Sequence, residues 1–198
     1  APTLPKASTA PYKPEPALPE ADYENILGVM ERMVHVMECS PAAFGHMDEE
    51  GIRTHFLVQL NGQYEGQATG ETFNYEGKTD ILIKSNGRNI FVAECKFWKG
   101  AKKYGETIDQ LLSYLSWRDT KAAVVVFNRN KNFSAVLEEI KKATPEHPNH
   151  KAFIRQCSES SWQYKFSHRD DPNREMIITV MAFDVPSPEN TGPQVRRI

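Results

Sequence analysis

The run "TDILIKSNGRNIFVAECKF", residues 79–97, constrains the fold more than any other part of the chain. Two β-branched or aromatic segments flank Asn86-Gly87. Asn-Gly is the dipeptide that a two-residue hairpin turn accepts most readily, because both turn positions need positive φ. The pattern predicts an antiparallel strand pair. That pair should be central and should feed a helix, since "GETIDQLLSYLSWR" places Ile108, Leu111, Leu112 and Leu115 at i, i+3, i+4 and i+7. The unbroken apolar run "AAVVVF" that follows suits a strand covered on both faces.

Upstream, Tyr23, Ile26, Leu27, Met30, Met33, Val34 and Met37 recur at helical spacing and predict a helix of about 16 residues with one face on the core. "SPAAF" predicts a short helix with Ser40 as N-cap and Pro41 at the first helical position. "MDEEGIRTHFLVQLN" predicts a third helix, with Ile52, Phe56 and Leu60 inward, and "ETFNY" the first of three strands. Beyond "AAVVVF", helices are expected over 133–142 and 151–157. A hairpin of "WQYKFSH" and "REMIITVMAFDV" joined by "RDDPN" follows. Residues 1–20 hold six of the 13 prolines and read as a linker or disordered arm; 21–186 form the folded domain and 187–198 a loose tail.

A chain of 198 residues that is 39% hydrophobic can bury one sizeable core. No apolar run approaches the roughly 20 residues of a membrane span, and no signal peptide is recognisable, so a cytoplasmic protein without a membrane partner is expected. The three cysteines are widely spaced without a C-x-x-C, which fits reduced thiols. His147 and His150 in "PEHPNH" lack the second pair of ligands that a zinc site needs. Net charge is -2, so composition does not announce a nucleic-acid binder. Between residues 78 and 103, however, seven basic residues (Lys78, Lys84, Arg88, Lys96, Lys99, Lys102, Lys103) surround Asp80 and Glu94. This basic zone is either a solvated face or a rim that attracts anions.

The two acids carry the chemistry. Strand alternation points Glu94 and Lys96 the same way, about 6.8 Å apart along the chain, with Ile90 and Val92 behind them. The hairpin delivers Asp80 to the same end. Two carboxylates in one place raise each other's pKa unless a cation sits between them, and Mg²⁺ or Mn²⁺ suits one or two carboxylates plus waters and a substrate phosphate. A lysine beside such an ion stabilises charge in phosphoryl chemistry. A buried structural ion triad is the other way to read Asp80, Glu94 and Lys96. Gln110, Tyr114 and Trp117 share the helix face opposite Ile108; Gln110 there either reaches the lysine or a bound phosphate, or is simply exposed. Trp98 either packs at the rim of the core or stacks on a base.

Asp80 in "KTDILI", Glu94-Cys95-Lys96 in "FVAECKFW" and Gln110 with Tyr114 in "DQLLSYL" together resemble the PD-(D/E)XK phosphodiesterase superfamily, the last pair being similar to the Q-x-x-x-Y motif of its RecB-like branch. The proline of the family's name is absent, Thr79 preceding Asp80. The resemblance spans about residues 48–128. It implies an α/β fold with a restriction-endonuclease-like mixed β-sheet flanked by helices, an αβββαβ core, to which an N-terminal helix and a C-terminal β-hairpin are added. It implies Asp80, Glu94 and the Cys95 carbonyl as metal ligands, Lys96 as catalytic lysine and Gln110 as its support. An acidic residue on the first core helix is Glu49 or Glu50, with Glu50 preferred. Lys78, Lys99, Lys102 and Lys103 would meet backbone phosphates. The expected function is a metal-dependent nuclease acting on DNA, an effector domain of a larger protein in restriction or defence, assembled with other domains or as a homodimer. A nuclease-like binding or docking module without turnover is the alternative. A glycosidase is disfavoured because Lys96 should hold both acids ionised, whereas an acid catalyst needs a raised pKa.

Overall fold

The computed structural model describes residues 18–63, 68–69, 72–74, 77–85, 88–185 and 187, with the backbone alone at 68–79 and 84–90. Helices α1 (Glu20–Cys39), α2 (Pro41–Phe44) and α3 (Glu49–Gln63) come first. Strands β1 (Ala68–Thr69), β2 (Thr72–Asn74), β3 (Gly77–Thr79), β4 (Ile81–Ser85) and β5 (Arg88–Phe97) follow. Then come α4 (Ala101–Tyr114), β6 (Lys121–Asn128), α5 (Phe133–Glu146), β7 (His150–Ser158), β8 (Ser161–His168) and β9 (Asp171–Asp184). Seven strands form one mixed sheet in the order β1-β4-β5-β6-β9-β8-β7. The chain is therefore α/β, with β6 as the middle strand and the β4–β5 hairpin to one side.

Helices cover both faces. Tyr23, Ile26, Met30, Met37, Ile52, Phe56 and Leu60 from α1 and α3 pack on Ile81, Ile83, Phe91, Ala93, Cys95, Val125 and Phe127. On the opposite face Ile108, Leu111, Leu112, Val136 and Ile140 from α4 and α5 meet Leu82, Val92, Val124, Val126, Phe166, Ile178 and Val180. Alternate residues of β5 and β6 enter opposite layers, and β6 is buried along nearly its whole length, as its unbroken apolar sequence demands. Each Val, Leu, Ile, Met or Phe side chain among them contributes on the order of 1.5–3 kcal/mol by leaving water.

The parallel step from β5 to β6 passes through α4, and Gly100 begins it at φ 96°. A positive φ with an extended ψ of 163°, which glycine adopts without strain, lets the chain leave the sheet at Phe97 and enter the helix at Ala101. An added Cβ would meet nothing within 4 Å, so an alanine there pays only for backbone, about 1–3 kcal/mol. Strand β9 lies parallel to β6, and β8 returns antiparallel beside β9, so the C-terminal hairpin completes the main sheet.

Four sequence expectations change. "ETFNY" does not enter the main sheet: Thr72–Asn74 pairs with Gly77–Thr79 in a separate two-stranded ribbon, and Ala68–Thr69 is the strand that pairs with β4. Residues 151–157 form edge strand β7 and not a helix; β7 pairs with β8 on one side and is exposed along both faces, so burial imposes no period on its sequence. Helix α4 begins at Ala101 and ends at Tyr114, where Leu115 turns extended, so Trp117 lies beyond the helix. Trp117 instead donates its indole N–H to Asp171 Oδ2 at 2.9 Å. Leu18, placed in the N-terminal arm, is buried, and its carbonyl accepts a 2.8 Å bond from Lys121. The Asn86-Gly87 turn lies outside the described residues, but Ser85 pairs with Arg88 across it as a hairpin requires. Residues 1–17 and all of the tail except 187 also lie outside. Among the described residues no helix is long and apolar enough to cross a membrane.

Candidate metal and phosphate site

Strand register assembles the site. Ile81 pairs with Ala93, so Asp80, one step earlier, lies beside Glu94 and Cys95. Asp80 Oδ2 accepts the Cys95 amide N–H at 2.8 Å, and Oδ1 accepts a 2.8 Å bond from Arg53 Nη1 of α3. Arg53 and Asp80 side chains are only 9% and 13% exposed, which makes this a buried ion pair. Arg53 is a residue that the sequence reading missed. The signal was present: Arg53, Phe56 and Leu60 are spaced i, i+3, i+7, a charge on an otherwise apolar helix face.

Glu94 is fully buried, and among the described residues neither carboxylate oxygen has a hydrogen-bond partner. Lys96 Nζ stands 3.4 Å from Glu94 Oε1, a charge contact. Burial, reinforced by the Asp80 carboxylate and only partly opposed by Lys96, pushes the Glu94 pKa up to about 8. For Glu94 this runs against the expectation that Lys96 keeps the acids ionised: desolvation outweighs the one ammonium beside it.

Lys96 also lies 3.2 Å from Glu49 Oε1, while Glu49 Oε2 accepts the Phe97 amide N–H at 3.0 Å. Glu49, and not the preferred Glu50, is therefore the helix acid that reaches the site. Successive helical residues diverge by about 100°, so only one of the pair can face the end of β5. Partial burial pulls the Lys96 pKa down, but Asp80, Glu49 and Glu94 outweigh it and hold the ammonium above its usual value. The Cys95 thiol points into the core beneath α3, where burial raises its pKa. Only its backbone is available to the site.

A cleft of about 320 Å³ opens beside Lys96, lined by Glu49 and Phe97 and, from the following turn and α4, by Lys99, Lys103, Glu106 and Gln110. Lys103 is paired with Glu106 at 2.6 Å, and Lys99 is exposed. Lys102 is exposed but does not line the cleft; the Lys78 side chain lies outside the described residues. Gln110 Nε2 donates one hydrogen to the Tyr114 hydroxyl at 2.8 Å, which ties the side chain to its helix neighbour. Trp98 is half-buried against the α4 layer, its ring 5.9 Å from Tyr104, which is the rim role. His147 and His150 pack on Phe166 at the far end of α5, with His147 Nε2 3.2 Å from Asp109.

The site fits a divalent cation in one respect above all: Glu94 presents two buried oxygens that no donor satisfies, a situation a cation corrects. Asp80 and the Cys95 carbonyl complete the donor set available nearby. Among the described residues no three His, Cys, Asp or Glu side chains converge as a cage, which leaves the sparse carboxylate set that Mg²⁺ accepts.

No protein-family model, no curated protein and no solved structure matches this chain.

Proposed function

We propose that this protein is a metal-dependent nuclease of the PD-(D/E)XK type that hydrolyses DNA phosphodiester bonds, working in the cytoplasm as the effector part of a larger protein or assembly. The observation that carries the reading is the buried, unsatisfied Glu94 carboxylate beside Asp80 and Lys96 at the C-terminal end of β5, next to a cleft rimmed by lysines. The order α3, β1, β4, β5, α4, β6 supports the restriction-endonuclease-like core.

Asp80, Glu94 and the Cys95 carbonyl would hold Mg²⁺ or Mn²⁺. Such an ion supplies Lewis-acid stabilisation of charge on the phosphate and an acidified water. The chain's own groups do the rest. Arg53 fixes the Asp80 carboxylate, and Glu49 holds the Lys96 ammonium at the mouth of the cleft, where it offsets charge that grows on phosphate oxygens. Lys99 and Lys103 bind flanking phosphates by charge, and Gln110, bonded to Tyr114, lines the same cleft.

Plasmid incubated with the protein should be cut only when Mg²⁺ or Mn²⁺ is added. Asp80→Ala and Lys96→Ala should abolish cutting while leaving a cooperative melt. Cleavage that survives in either variant would sink the assignment.

A second reading has its own observation. Arg53 already offsets the charge of Asp80, which suits a module that binds nucleic acid without turnover. Retarded migration of DNA on a gel with no cleavage in any divalent metal would favour it.

A further inference from the structure

We propose that Arg129 is a positioning residue that clamps the start of α3 to the end of β5 and so keeps Glu49 on Lys96 and Phe97; the inference rests on the site described above and adds a residue outside it. Arg129 follows β6 and is far in sequence from every group it serves. Its Nη2 donates to the Met47 carbonyl, two residues before Glu49. Its guanidinium carbon lies 4.7 Å from the centroid of the Phe97 ring, a cation–π contact. The same side chain therefore touches the residue that leads into the helix acid and the residue whose amide that acid receives. Glu49 closes the loop from the other side, through the Phe97 N–H at 3.0 Å and Lys96 Nζ at 3.2 Å.

The clamp has a rigid base. Asn128 is fully buried, and its amide donates to Asn130 O at 2.8 Å and to Asp184 Oδ1 at 2.7 Å, while its Oδ1 accepts the Asn130 N–H. Val185 N–H binds the Asn128 carbonyl, so the loop carrying Arg129 is tied to both β6 and β9. Phe97 rests edge-on against Phe127, which stacks on Phe56 of α3. Asp48 lies near enough to draw the guanidinium electrostatically, against the burial that opposes its charge. Arg129 Nε is buried without a partner, a cost that the carbonyl and ring contacts hold in place. Lysine reproduces this only in part: it keeps a charge and a donor for the Met47 carbonyl but lacks the planar face and the fork.

The Phe97 amide gives a direct readout, because its partner is a side chain and not a neighbouring strand. Hydrogen exchange by NMR on the metal-free full chain should show Phe97 protection lost in Glu49→Ala. It should fall about 10-fold in Arg129→Met and Arg129→Gln, with less loss in Arg129→Lys. Exchange at Val125 in the middle of β6 should not change in any of them, which separates a local release from global unfolding. In cleavage assays the Arg129 variants should lower kcat with little change in KM, since Arg129 lies outside the lining of the cleft. Wild-type Phe97 protection in Arg129→Met and Arg129→Gln would overturn the proposal, and so would a Glu49→Ala variant that leaves Phe97 protected. If the wild type cuts no DNA, the nuclease reading fails while the exchange result still decides the clamp.

Discussion

Arg53 Nη1 lies 2.8 Å from Asp80 Oδ1 in a setting where both side chains are nearly sealed from water, so the acid at the start of β4 is held by a helix 27 residues upstream. Among the described residues, removing the guanidinium leaves the buried Asp80 carboxylate with the Cys95 N–H as its donor. Arg53→Met should therefore lose roughly 3–5 kcal/mol of unfolding free energy, and Asp80→Asn in the same chain should recover part of it. Urea unfolding of the single and double variants checks this; a loss under about 1 kcal/mol would show that the pair is not formed. A divalent ion should raise the melting temperature of Arg53→Met more than that of the wild type, since it replaces the lost charge.

Glu94 sets a pH dependence of known sign. Its ordinary pKa of 4.5 applies to the unfolded chain and about 8 to the folded one, so the folded state binds more protons between those values. Its contribution is full below pH 4.5 and is lost as pH rises through 8. Glu94→Gln resembles the protonated acid. Without metal, wild type and variant should be equally stable at pH 4.5, and the variant should be more stable by a few kcal/mol at pH 8.5. Equal stability at pH 8.5 would mean that Glu94 is ionised and satisfied in the fold.

Metal binding should reverse that difference. An ion that binds only the folded state stabilises it by about 2.7 kcal/mol at 100 times Kd, enough to move the melting temperature by some degrees. Melts in Mg²⁺ or Mn²⁺, compared with monovalent salt at equal ionic strength, should rise in the wild type. Glu94→Gln should lose most of the shift. Equal shifts in both proteins would remove Glu94 as a ligand.

Gln110 and Tyr114 act as one unit if their 2.8 Å bond orients the glutamine toward the cleft. Gln110→Ala should slow cleavage about 10- to 100-fold and Tyr114→Phe by less than about 10-fold, with the double variant no slower than Gln110→Ala. Additive losses in single-turnover rates would show two separate roles.

Legibility varied along the chain for identifiable reasons. Helices α1, α3 and α4 showed themselves because one face meets a sheet, so apolar residues recur at 3.6-residue spacing. Strand β6 did so because both faces are covered. Edge strand β7 gave no such sign, and the strand beside β4 away from β5 proved to be Ala68–Thr69, a segment too short to carry a pattern. In the site, Asp80, Glu94 and Lys96 could be placed together from strand alternation and one turn dipeptide. Arg53 could have been found as a charge within an apolar stripe, but Arg129 left no local trace.

The sequence by itself determined the element types around residues 79–127, the antiparallel pairing and the placing of two acids and a lysine at one strand end, because these follow from periods of 2 and 3.6 acting over neighbouring residues; the register shift between Ile83 and Lys84 that brings Asp80 opposite Glu94 does not. Tertiary structure alone decided that Glu49 and not Glu50 turns to Lys96, that Gln110 donates to Tyr114, and that Arg53 and Arg129 brace the site from distant segments. It also decided that the Glu94 pKa is pushed upward, by burial first and by Asp80 second. The reason is physical: charge state depends on how much water and how many donors surround a carboxylate, and both are set by what packs over it from elsewhere in the chain.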